Sequence, residues 1–447
     1  MLEQTQAQTL CEGVLQRCGD SPAEVLLSLQ DEALTRFANN AIHQNVSERD
    51  LNLMVRLFNG TRTGTATTNR LDSAALGEVV ERARWNAQAS PENPDFPGLA
   101  EPATYQKVHC FDQETAELSP MKRAEAVGAV CRLAKEKGLN ASGAFSTGAG
   151  AVAIANTEGL FAFHDSTSAD FQTVVMGTDS SGRAQASGWR AAEIPVEALG
   201  REALLKAEQG ANPGAVEPGE YTVIFDPYVT EDLLSMLNIH GMDAQSVLDG
   251  RSWMNDRFDQ QAMSPKVSIW DDGLDPNGMP LPFDYEGVPK QRVEIVTEGI
   301  VKGPVYDRYT AKKAGVESTG HALSPTARAF GPLALNLFMA TGEAALEEMI
   351  ASTDRGLYVT RFWYTRLVHP RDCVVTGMTR DGVFLIEDGQ LARPVKNLRF
   401  TQSYVQALAD VEMVGRETRL LTTEYIGIAT LVPAIKISRF NFTGVTV

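Results

Sequence analysis

The chain has 447 residues, 43% of them hydrophobic, with 57 acidic against 40 basic side chains and a formal net charge of −17. That length exceeds what one hydrophobic core usually supports, so two domains are expected, and the acidic balance excludes nucleic acid as an expected partner because phosphate binding runs on clustered Lys and Arg that release counterions. The amino-terminal MLEQTQAQTL lacks the basic and apolar regions of a signal peptide, and no apolar run approaches the roughly 18 residues that cross a bilayer, so a cytoplasmic protein with no membrane partner is expected.

In chain order, Leu10, Val14 and Cys18 fit one face of a helix starting near residue 4, which Gly19 closes, and EVLLSLQ reads as a strand. In LNLMVRLF, the side chains of Leu51, Leu53, Val55 and Leu57 fall on one face of a second strand, with NGTRTG as the turn after it. Asp72 caps a helix whose apolar stripe is Leu76, Val79, Val80 and Ala83, and SPENPDFPG forbids its continuation. Ser119-Pro120 opens another helix, ending near Lys135, Lys137 and Gly138. SGAFSTGAGAVAIANTEG lacks the spacing of a nucleotide-binding loop; it reads as a tight turn, the strand AVAIAN and a second turn at NTEG.

EQGANPGAVEPGE, rich in glycine and proline between patterned regions, marks the domain boundary: an α+β domain over 1–210 and a β-rich domain over 218–447. YTVIFDP, KVSIWDD, QRVEIV, GIVKGPVYD and LYVTRFWYTRLV are rich in β-branched and aromatic residues. RDG and EDG flank the apolar run VFLI and predict a three-stranded meander within a twisted antiparallel sheet or partly closed barrel. Two helices interrupt it, TEDLLSMLNI with Thr230 as cap, and GEAALEEMIAST.

The segments that could carry chemistry each have a structural reading beside the functional one. Asp284 and Glu286 in FDYEGVP would emerge from one face of a strand and could share a proton or hold a metal, or form an exposed loop pair. Arg308 can hold a carboxylate bidentately, on this chain or at a peptide terminus, and His321 stands near it in sequence. His240 ends a helical segment alone, whereas a hydrolytic metal needs about three protein ligands, an open position for water and a nearby carboxylate base. A cap or core role is the expectation for it. Cys11, Cys18, Cys110, Cys131 and Cys373 form an odd, scattered set without a CxxC pair, as reduced, buried thiols do.

Taken together, RFANNAIHQN, TGTATTN, AIANTEGLFAFHDST, FDYEGVPKQRVEIVTEGIVKGPVYDRYTA, STGHA, RGLYVTRFWY and TRDGVFLIEDGQLARPVKNLRFTQS resemble the TldD/TldE family, also called PmbA or "modulator of DNA gyrase", over nearly the whole chain. The resemblance implies an α/β amino-terminal region, a β-rich carboxy-terminal one and, in the catalytic members, a helix of the form LLHEAVGHG whose two histidines bind metal and whose glutamate activates water, with a late cysteine as a further ligand. Here LLSMLNIHG keeps only His240: Ser235 stands at the first histidine, Met236 at the glutamate, and no cysteine follows Cys373. Serine is a poor zinc ligand and a thioether cannot take a proton from water. By this resemblance the chain has no catalytic, metal or cofactor residue of its own and matches the TldE/PmbA-like branch: a noncatalytic subunit that pairs with a TldD-like catalytic subunit carrying the zinc to cleave unfolded peptides, and that could form a homodimer in isolation. An extended peptide could add to a sheet edge through main-chain bonds, with Asp284, Glu286, Arg308 and His321 as peptide or interface candidates. The alternatives are a peptidase with a divergent site built on His240, His321, Asp284 and Glu286, and a protein that binds DNA gyrase.

Overall fold

The computed structural model describes residues 2–325, 327–423 and 427–445. The first half runs α1 (Gln4–Cys18), β1 (Ala23–Ala38), β2 (Ala41–Asn59), β3 (Arg62–Thr68), α2 (Ser73–Ala89), α3 (Gln113–Ala116), α4 (Pro120–Glu136), β4 (Asn140–Asn156), β5 (Phe161–Met176), β6 (Ser181–Gly188) and α5 (Val196–Gln209). Its strands form one antiparallel sheet in the order β3-β2-β1-β4-β5-β6. The caps lie where sequence places them: Asp72 accepts from Ala75 N at 3.1 Å, Ser119 from Lys122 N at 3.3 Å, and Gly19 closes α1 at a φ of 63°.

Pleat alternation decides what this sheet touches. Val25, Leu27, Leu53, Val55 and Leu57 pack under α1 and α2, and Phe37, Phe145 and Phe171 under α4 and α5. The opposite pleat, with Leu26, Met54 and Ile154, packs on Phe283 and Tyr285 of the second half. Burial on both faces explains why LNLMVRLF is apolar at both parities, although Leu51 is only partly buried. The first part of the glycine-rich run is a correction: the stretch through Gly143, Gly148 and Gly150 is no turn but the interior of β4, paired with β1 and β5, whereas AVAIAN is strand and Thr157 to Gly159 turn as expected. A Cβ on Gly143 would lie 2.1 Å from the Gln172 carbonyl oxygen, so glycine there permits close strand approach.

The second half runs β7 (Gly219–Phe225), α6 (Pro227–Ile239), α7 (Ala244–Leu248), β8 (Ile269–Asp271), β9 (Val293–Thr297), β10 (Ile300–Val301), α8 (Arg308–Ala314), β11 (Asn336–Met339), α9 (Leu346–Ala351), β12 (Arg355–Val359), β13 (Phe362–His369), β14 (Val374–Thr379), β15 (Val383–Glu387), β16 (Gln390–Pro394), β17 (Leu398–Ser403), α10 (Tyr404–Ala409), β18 (Val411–Thr422) and β19 (Ala429–Val445). Among the described residues these strands make a 13-stranded, mostly antiparallel sheet that does not close into a barrel, with β11–β19 and β7–β12 pairing in parallel.

The predicted meander forms only in part. Asp388-Gly389 turns β15 back onto β16, but β14 pairs with β13 and β17 while β15 pairs with β12. Asp381 has another use: its carboxylate accepts from Ser181 Oγ at 2.7 Å and pairs with Arg361 at 2.7 Å, tying the end of the first sheet to the second. The connecting stretch is also fastened, with Gly214 N donating to Pro394 O at 3.1 Å and Lys396 N to Gly214 O at 2.8 Å. All five cysteines are free and buried.

Asp381 is buried and Asp388 exposed, and both sit at positive φ, so asparagine suits either backbone. Asp381→Asn should cost about 3 kcal/mol by leaving Arg361 without its counter-charge. Thermal melts should show a clear fall for Asp381→Asn and little change for Asp388→Asn; equal effects would refute the bridging role.

Candidate functional site

The helix that carries Ser235, Met236 and His240 starts earlier than Thr230. Asp226 caps α6 through Tyr228 N at 3.5 Å with Pro227 at its first position, a stronger start signal than an internal threonine, whose hydroxyl is buried without a partner among the described residues. The Asp226 carboxylate also accepts from Lys206 Nζ of α5 at 3.1 Å and Tyr358 OH of β12 at 2.7 Å. Glu202, Tyr228 and Arg419 extend this network, with Arg419 Nη2 donating to Glu202 at 2.8 Å. One face of α6, with Val229, Leu233 and Leu237, is core. The other, with Tyr228, Glu231, Asp232, Ser235, Met236 and Ile239, floors a cleft of about 480 Å³ walled by residues 361–366, Arg183, Gln185 and Leu421 to Thr423.

Two carboxylates dominate the floor. Glu231 accepts from Ser235 Oγ at 2.6 Å, and Asp232 from Thr365 Oγ1 at 2.9 Å and Tyr404 OH at 2.8 Å. Burial outweighs these neutral donors, pushing Glu231 up to about 7 and Asp232 up to about 6. Trp363 and Tyr364 form an aromatic rim, with the Arg361 guanidinium 4.7 Å from the Trp363 ring and the Arg366 guanidinium 4.3 Å from the Tyr364 ring. Tyr364 is 63% exposed and held at a φ of 56°, a conformation that costs a non-glycine residue energy.

These residues do not fit a catalytic zinc. The Ser235 hydroxyl is committed to Glu231, Met236 offers a neutral thioether, and His240 is the C-cap of α6 and does not line the cleft. Burial, with Arg251 adding to it, holds the His240 imidazole below its ordinary pKa. Among the described residues no group of three or more His, Cys, Asp or Glu is placed to hold a metal.

The remaining candidates meet each other, away from that cleft. Asp284 is not on a strand; it organises a turn, accepting from Glu286 N at 2.8 Å, Val288 N at 3.0 Å and Ala322 N at 2.9 Å. Glu286 is buried beside Arg328 at 2.8 Å and Arg56 at 3.8 Å; Arg56 in turn pairs with Glu24 at 2.7 Å. Burial raises Glu286 to about 8, opposed by Arg56 and reinforced by Asp284. Arg308 grips the carbonyls of Pro97, Gly98 and Leu99 at 3.2, 2.6 and 2.8 Å. His321 is buried between Asp271 at 2.8 Å and Thr319 at 2.9 Å. Of these, Glu286 through Arg56 and Arg308 through the three carbonyls fasten the first sheet and the segment after α2 onto the second half. Sequence reading missed Glu231 and Asp232; the i, i+4 relation of Glu231 to Ser235 was visible, but their partners on Thr365 and Tyr404 were not.

Family models for the PmbA/TldA metallopeptidase match three stretches: domain 1 over residues 23–87, the central domain over 112–210 and the C-terminal domain over 218–444. The chain belongs to the PmbA/TldD metallopeptidase family. The metalloprotease TldD homolog of Haemophilus influenzae is 24% identical over 432 residues, covering 89% of this chain and 86% of that protein. TldE from Thermococcus kodakarensis superposes with a TM-score of 0.89 at 20% identity, covering 98% of this chain and 99% of that one. A Thermotoga maritima structure described as a candidate modulator of a DNA gyrase gives 0.85 at 20% identity, covering 98% and 100%. At these identities the structures establish the shared fold.

The raised acid has a consequence for stability. The unfolded chain ionises Glu231 near the ordinary glutamate value, so from there up to about pH 7 the folded chain holds more protons, and this contribution falls as pH rises. Glu231→Gln removes the dependence. The melting temperature of the variant relative to the native chain should climb between pH 5 and 7.5 and level off above; a flat difference would show that Glu231 titrates normally.

Proposed function

We propose that this chain is the noncatalytic, TldE/PmbA-like subunit of a cytoplasmic heterodimeric metallopeptidase whose zinc and water-activating glutamate reside on a TldD-like partner, and whose substrates are unfolded peptides. The observation that carries the reading is the face of α6 at the cleft: Ser235 bonded to Glu231 and Met236 beside it, where a peptidase helix needs ligands and a base. The chain's own residues there can bind and orient, through the aromatic rim and the carboxylates, but supply no activated nucleophile. A divergent site on His240, His321, Asp284 and Glu286 has less support, since His321 is held by Asp271, Asp284 by main-chain amides and Glu286 by Arg328 and Arg56, while His240 stands apart on α6. No residue favours the gyrase-binding reading.

Purified chain offered zinc and then desalted should retain well under one equivalent, because a lone imidazole closes no site; stoichiometric zinc lost on His240→Ala would overturn this. Mixed with a TldD-like chain from the same organism, it should yield chelator-sensitive cleavage of unfolded peptide that neither chain gives alone. His240→Ala should leave that activity within a few fold, whereas replacing the partner's motif glutamate should abolish it. Hydrolysis by this chain alone, or full activity of the partner without it, would refute the assignment.

A further inference from the structure

One edge of the first sheet is open. β2 pairs with β1 from Ala41 to Leu57, but β3 covers its outer side only from Leu53 to Asn59, so among the described residues no strand lies against the outer edge of residues 41–52. An open edge of this length presents unpaired N–H and C=O groups and is a template for another strand. This one is held in shape. At the hairpin tip, Asn40 Nδ2 donates to Leu139 O at 2.7 Å and Asn40 Oδ1 accepts from Ala141 N at 2.7 Å, while Arg49 Nη2 donates to Asp31 at 2.7 Å.

The side chains on this segment suit a particular occupant. One pleat is covered, with Thr35 and Phe37 buried near α4. The other pleat, with Leu34, Arg36, Gln44, Val46 and Glu48, faces a shallow open cavity of about 260 Å³. Across β1 and β2 on that pleat, Leu34 stands opposite Val46 and Arg36 opposite Gln44, while Glu32 stands opposite Glu48, a like-charge pair that costs energy in a single chain.

We propose that this edge pairs antiparallel with the same edge of a second copy of this chain, about a twofold axis midway between Val46 of one copy and Val46 of the other. Such an axis stands perpendicular to the sheet and keeps each face on its own side, as an isologous contact requires. With Val46 opposite Val46 of the copy, Gln44 falls opposite Glu48, which uses the regular run from Gln44 to Glu48 and stops short of the bulge between Gln44 and Ile42. The central row across the four strands is then Leu34, Val46, Val46, Leu34. Each flanking row runs Arg36, Gln44, Glu48, Glu32, so the glutamates of one chain meet the arginine of the other with Gln44 between them. The pairing supplies the counter-charge that the single chain lacks. It is independent of the catalytic-partner reading, since it concerns this chain with itself and needs no peptidase.

The test uses the full chain, whose five native thiols are buried and give little background. Under mild oxidation, Val46→Cys should form a covalent dimer reversed by reductant. Gln44→Cys and Glu48→Cys should each cross-link poorly alone and well when mixed, which fixes the register. By light scattering the native chain should be a dimer at micromolar concentration and Val46→Arg a monomer, with an unchanged melt showing that the variant is folded. A monomeric native chain overturns the proposal. So does a dimer that survives Val46→Arg without Val46→Cys cross-linking, and the cross-linking pattern decides the matter even if Val46→Arg folds poorly.

Discussion

The position of α6 depends on the carboxylate of Asp226. It caps the helix, takes the ammonium of Lys206 from α5 and the phenol of Tyr358 from β12, and its own amide bonds Val359 O at 3.1 Å. A buried carboxylate is costly unless every lone pair is used, and here an ammonium and two neutral donors use it. Because those donors come from both halves, the group that orients the helix also orients the halves. The cleft over α6 inherits its shape from that arrangement, with one wall from residues 361–366 of the large sheet and another from Arg183 and Gln185 of the first.

A second fastening lies at the other end of the contact. Glu24 and Arg56 of the first sheet reach Glu286 and Arg328 of the second half, and Arg308 holds three carbonyls of the segment after α2. Removing one member of such a network leaves the others desolvated and short of partners, which is why its members act together. Of the residues that invited a catalytic reading in the sequence, Asp284, Glu286 and Arg308 satisfy main-chain groups at or beside the junction, and His321 is held by Asp271.

Local signals were legible and distant ones were not. Asp72 and Ser119-Pro120 gave their helix starts because a cap is decided within a few residues. The same rule gives Asp226-Pro227 for α6, and Thr230 misled only because the apolar pattern was read from there. The α+β class and the β-rich second half followed from periodicity and composition. The strand containing Gly143, Gly148 and Gly150 reads as a turn because close packing against β5 is set by Thr173, Ser168 and Ser166, beyond the reach of a local pattern. Asp381-Gly382 carries a hairpin signature, yet Ser181 and Arg361 claim its carboxylate and send β15 to β12. The cleft acids escaped notice for the same reason, since their partners are Thr365 and Tyr404.

The five thiols carry a consequence of another kind. Burial is the leading cause that pushes Cys11, Cys110 and Cys373 up to about 12 and Cys18 up to about 11, and it raises Cys131 as well. Peroxide, nitrosating agents and glutathione disulfide all react through thiolate, and an enclosed, protonated sulfur offers them almost none. The folded chain is therefore nearly inert at its cysteines. Oxidants would reach its thiols only after unfolding, so that sulfenylation or glutathionylation of this protein would report loss of its fold.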